Sequence, residues 1–84
     1  SLHQNYPNPF NPQTTIKWSI PLSGTVFLGV YNLRGQLVET LFNGQLEAGI
    51  HKQIWDATAY PSGIYFYRLI SNGTTLQRIM LLLK

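Results

Sequence analysis

His3 and His51 are the side chains of this chain suited to moving a proton near neutral pH, and three acids, Glu39, Glu47 and Asp56, stand ready to work with them. A hydrolytic site needs a histidine beside both a nucleophile and an orienting carboxylate. Of the acids only Asp56 is close in sequence to His51. His51, Trp55 and Asp56 read instead as a packed strand end, in which Asp56 accepts backbone N–H bonds from the loop that follows. Two histidines, three scattered acids and no cysteine make no zinc or calcium spacing. No glycine-rich phosphate loop is present. No catalytic residue, cofactor or metal site is assigned.

Rings offer a second chemistry. Trp18, Trp55 and the run Tyr65-Phe66-Tyr67 include side chains that stack on sugars when exposed on a sheet. Trp18 shares its strand face with Ile16 and Ile20, which makes it core. In an extended run Phe66 opposes Tyr65 and Tyr67, so one set at most faces solvent. An exposed pair, Tyr65 and Tyr67, would make the chain a carbohydrate-binding accessory module. Asn72-Gly73-Thr74 has the form of a glycosylation acceptor, but a hairpin turn already accounts for it.

The elements that carry these residues are strands. Asn5-Tyr-Pro-Asn-Pro-Phe-Asn-Pro12 is punctuated by Pro7, Pro9 and Pro12, which lack an N–H and hold their predecessors extended. Residues 1–13 are therefore expected to form a stiff strap that packs back on a body at 14–84, with Tyr6 and Phe10 as aromatic anchors. Beyond it the hydrophobic period is two. Ile16, Trp18 and Ile20 share a face of Thr14–Ile20, and Val26, Leu28 and Val30 share one of Thr25–Tyr31. Leu37–Phe42, Ile50–Trp55, Ile64–Ser71 and Thr74–Leu83 follow. Turns are expected at Pro21–Gly24, Asn32–Gln36, Asn43-Gly44 and Asp56–Gly63. Asn72-Gly73 is the strongest hairpin signal, because a type I′ turn takes positive φ at both positions. Short strands at intervals of about 8–12 residues without a helical window predict an all-β, Ig-like antiparallel sandwich of six to seven strands. Ile79–Leu83 loses the alternation, which places that strand centrally in its sheet or leaves one face for a partner.

Composition narrows the functions further. At 84 residues the chain is one domain, and its 11% charged residues fall well under the roughly 25% of ordinary soluble domains. The net charge of +3 is mild and its cations are spread along the chain, with no nucleic-acid stripe or polybasic membrane segment. The longest apolar run, Ile79–Leu83, is far too short to span a bilayer. The start at Ser1 and the lack of an apolar leader suggest a piece of a longer protein.

The succession Asn5–Ile16, Val30-Tyr-Asn-Leu-Arg-Gly-Gln-Leu-Val38, Ala48-Gly-Ile-His51 with Trp55-Asp-Ala57, Pro61-Ser-Gly-Ile-Tyr-Phe-Tyr-Arg-Leu69 and Leu81-Leu-Leu-Lys84 resembles the type A C-terminal sorting domains of the type IX secretion system of Bacteroidetes. It is also similar to the Ig-like domain of flagellar hook-capping proteins. The resemblance implies a non-catalytic address label, covalently part of a larger exported cargo. The cargo passes through the periplasm to an outer-membrane translocon, and a sortase-like protease then removes the label, leaving the cargo secreted or attached to the cell surface. It implies recognition through Gly63, Tyr65, Arg78, Leu81, Leu82, Leu83 and Lys84. In the family an aliphatic residue usually stands at Gln53, with Ile54 next door here, so the facing of Ile50–Trp55 is open. A passive Ig-like spacer or assembly module is the competing role. An apolar last strand also exposes the isolated domain to self-association through a sheet edge.

Overall fold

A computed structural model describes all 84 residues and contains six strands: β1 Gln13–Ile20, β2 Gly24–Tyr31, β3 Leu37–Leu46, β4 Gly49–Asp56, β5 Gly63–Ser71 and β6 Thr74–Leu82. They form two antiparallel sheets, one of order β3-β2-β5-β6 and a narrower one pairing β1 with β4. No helix is long and apolar enough to cross a membrane. The all-β sandwich expected from the alternation is what the chain forms.

The core lies between the sheets and follows the period-two pattern. β1 contributes Ile16, Trp18 and Ile20, β2 Val26, Leu28 and Val30, and β5 Tyr65, Tyr67 and Leu69. Met80 and Leu82 of β6, with Trp55, Ala57, Leu2 and Phe10, complete it. Asn72 and Gly73 take φ of 48° and 77° between β5 and β6, the turn their types predict. Asn43-Gly44 is not a turn. Gly44 pairs with Val26 inside a longer β3, beside the ring of Phe42, and the chain reverses only after Leu46.

The strap lies between β1 and β6 and joins the two sheets. On one side Ser1 to Tyr6 runs antiparallel to β1: Ser19 N–H donates to Ser1 O (2.8 Å), His3 N–H to Lys17 O (2.9 Å), and Tyr6 and Thr15 exchange bonds of 3.0 and 2.9 Å. On the other side Phe10 runs parallel to β6, donating to Leu81 O and accepting from Leu83 N–H, both at 3.0 Å. Its buried anchors are Leu2, Asn5 and Phe10. Tyr6 is not one: its ring is 80% exposed, and it holds the strap through its backbone alone. The Asn5 amide donates to Pro7 O (3.1 Å) and to Thr14 Oγ1 (3.0 Å), so a buried polar side chain is satisfied where the strap bends.

β6 is the edge strand of its sheet, so the lost alternation marks an open face and not a central position: Ile79 and Leu83 are 54% and 50% exposed. Its inner edge pairs with β5, and its outer edge is bonded by the strap's backbone only at its end, where Phe10 meets Leu81 and Leu83.

Candidate functional site

The residues implied as recognition determinants come from β5, β6 and the two residues after it, and most of them converge on one end of the sandwich. Trp55 stands at the centre of that end. Phe10, Tyr60 and Tyr65 surround it with ring centroids 5.8, 5.6 and 5.5 Å away, the last edge-on, as ring quadrupoles prefer. Trp55 Nε1–H and Tyr60 O–H both donate to Glu39 Oε1, each at 3.0 Å. Glu39 therefore binds β3 to the β4–β5 loop. Nothing in its sequence context marked this role, since β3 carries the most blurred alternation of the six strands.

The last residues rest on this aromatic base. Leu82 is fully buried and is core, while Leu81 is half-buried. Leu81 N–H donates to Asn8 Oδ1 of the strap at 2.9 Å. Leu83 is 50% exposed and Lys84 is exposed. Lys84 is nonetheless held, its N–H donating to Ser62 Oγ (2.9 Å) and its ammonium to Thr58 O (2.6 Å). Gly63 begins β5 at φ 154° with no atom near its missing side chain. Arg78 lies apart from this end, where its Nε–H donates to Leu2 O at 2.6 Å.

Tyr65 and Tyr67 face inward. Tyr65 is 5% exposed and donates to Pro61 O (2.7 Å), and Tyr67 is fully buried and donates to His3 O. Burial raises the pKa of both phenols, and that of Tyr60, where Glu39 adds to the effect. Neither ring of the pair offers a face to a sugar. Phe66 takes the outer face, as alternation requires.

His51 and Asp56 stay separate in role. His51 Nε2 lies 2.7 Å from Glu47 O, and its ring stacks obliquely near Trp18. Asp56 accepts from the Thr58 hydroxyl, from Thr58 N–H (3.0 Å) and from Gln13 (3.4 Å). The Thr58 bonds, first the hydroxyl and then the N–H, lower its pKa. This is the strand-end cap that the sequence suggests. Gln53 points inward and Ile54 outward, which settles the facing of β4. Gln53 is tolerated there because the inner side of β4 away from Trp55 is only half-buried.

A search of curated proteins finds no significant match. A family model described as Secretion system C-terminal sorting domain matches residues 4–82, nearly the whole chain. With the all-β sandwich and the terminal residues braced at one end, this settles the assignment: the chain belongs to the family of secretion system C-terminal sorting domains, the sorting signals of type IX secretion.

Proposed function

We propose that an outer-membrane translocon reads this domain through Leu83 and Lys84, while Gly63, Tyr65, Leu81 and Leu82 hold those two residues in place and Arg78, away from that end, ties β6 to the strap through Leu2 O. The observation that carries this reading is the division of burial along the chain's end. Leu82 is core, whereas Leu83 and Lys84 are exposed on a braced base of rings and backbone bonds. A preorganised terminus loses less freedom when it is bound. Strand addition to the outer edge of β6 would first have to displace Phe10, so side chains are the better target.

In this reading the domain is a tail of a larger cargo and performs no chemistry itself. The cargo crosses the periplasm, passes the translocon and ends secreted or attached to the surface after a sortase-like protease cuts upstream. Self-association uses β3 or β4, because Phe10 blocks the end of the β6 edge.

The test separates reading from folding. Leu83→Ser with Lys84→Ser should leave the thermal midpoint of the domain within a few degrees of wild type. A fluorescent reporter carrying this variant, in a host with the translocon, should accumulate in the periplasm. Normal export of the reporter would overturn the assignment of these two residues. Deleting residues 81–84 is a poorer experiment, since it removes Leu82 from the core.

A further inference from the structure

The sandwich is unequal. Four strands face two, and the strap adds a third to the narrow layer only on the β1 side. The opposite side is left short. No residue of β3 is fully buried, and on β4 only Trp55 is. Val38, Leu41, Phe42 and Leu46 pack against the core but remain half-open. Residues of β2 and β5 in the same sheet are buried to 2% exposure or less at Val26, Leu28, Val30, Tyr67 and Leu69.

The free edge of β4 has the means to take a strand. Thr15, Lys17 and Ser19 direct their backbone groups to the strap, so Thr14, Ile16 and Trp18 direct theirs to Trp55, Gln53 and His51. By alternation, Ile50, Lys52 and Ile54 aim their N–H and C=O groups away from β1. One of these groups is met from within, Ile54 O by the Gln53 amide at 3.3 Å. On the outer face Ile50 and Ile54 are 69% and 61% exposed, and Lys52 stands between them. Lys52 lies directly opposite Lys17 of β1, a like-charge pairing that disfavours the sheet. The acid of that row, Asp56, is engaged by Thr58 and Gln13 at its far end.

We propose that the β4 edge accepts an extended strand of another protein, with an acidic side chain flanked by apolar ones on its outer face and apolar side chains on its inner face. Its acid meets Lys52 and Lys17, its flanking residues meet Ile50 and Ile54, and its inner face covers Phe42 and Leu46. This is strand addition with side-chain selection. A second copy is a poorer fit, because a two-fold β4–β4 pairing about Lys52 sets Lys52 against itself with both Lys17 side chains alongside. Binding at this edge does not depend on how the terminus is read, and its test needs no translocon.

The probe is a nonapeptide of two threonines, two valines, a central glutamate, two valines and two threonines. This order puts valine beside the acid on the outer face and valine on the inner face. It is titrated into the intact chain and followed by amide hydrogen exchange. A twin peptide with lysine at the centre is the control. Exchange at Lys52 and Ile54 should slow by about tenfold or more with the glutamate peptide and stay unchanged with the lysine peptide. Lys52→Glu should reverse the preference. Ile54→Pro removes an outward N–H without touching the ladder to β1, and should abolish the protection while the fold persists. Equal protection by both peptides, or protection mapped to other strands, overturns the proposal. Concentration-dependent protection of the same amides without peptide overturns it in favour of a second copy.

Discussion

Tyr67 brings a hydroxyl into an apolar core and donates it to the strap at His3 O, so a single group links β5 to the first residues of the chain. Tyr67→Phe keeps the ring and leaves that carbonyl without its partner. It should cost about 1 kcal/mol, read as a lower urea midpoint with unchanged slope. Titration acts at the same scale. The folded-state pKa of Asp56 is lowered below 3.8, chiefly by the Thr58 hydroxyl, so its stabilisation is complete above that value and is lost as the pH falls through the lower folded value. Tyr60, Tyr65 and Tyr67 are shifted the other way by burial. Their stabilisation is complete below pH 10.0 and is lost as the pH climbs past it toward the raised folded values. Asp56→Asn should therefore flatten the acid limb of a stability–pH profile and leave the alkaline limb alone. An unchanged acid limb would remove Asp56 as its source.

At the scale of elements, the strap is a structural member of both sheets. Phe10 places its ring on Trp55 and its backbone on Leu81 and Leu83, and it is 2% exposed. Phe10→Ala should cost about 3–5 kcal/mol, a large share of the roughly 5–15 kcal/mol available to a small domain. Thermal denaturation checks this, and amide exchange at Leu83 should quicken in the same variant. The prolines announced an extended segment, and the rings announced that it packs. Which ring packs was not legible. Tyr6 and Phe10 look alike in sequence, but Phe10 meets the Trp55 cluster, while Tyr6 stands where the strap turns its side chain to solvent. The Asn43-Gly44 dipeptide misled for a related reason. Its turn chemistry is local, whereas the ladder to Thr25, Val26 and Phe27 extends β3 through it.

Across the whole molecule, protection follows the unequal layers. β2 and β5 lie inside the wide sheet and bury Val26, Leu28, Val30, Tyr67 and Leu69 almost completely, whereas β3 and β4 form the open side. Native-state exchange should find the amides shared by β2 and β5 slowest and those on the free sides of β3 and β4 fastest. Uniform protection across the six strands would contradict this gradient. Phe10 blocks the end of the β6 edge at Leu81 and Leu83, while the same imbalance places edge risk on the β3–β4 side. The cations there, Lys17 and Lys52, are of the kind that discourage edge pairing between like molecules.

Local pattern was enough to reveal the strands, their facing in β1, β2 and β5, and the Asn72-Gly73 hairpin. Each of these depends on neighbours within a few residues, through period-two alternation or turn dihedrals. The motif succession was likewise enough for the family. The cover on the end of β6, the Glu39 bridge between Trp55 and Tyr60, and the short layer beside β4 are different in kind. They depend on contacts between residues tens of positions apart, Phe10 with Leu81 and Leu83 and Glu39 with Trp55. No local preference of the backbone encodes such pairings, so they emerge only when the sheets close on one another.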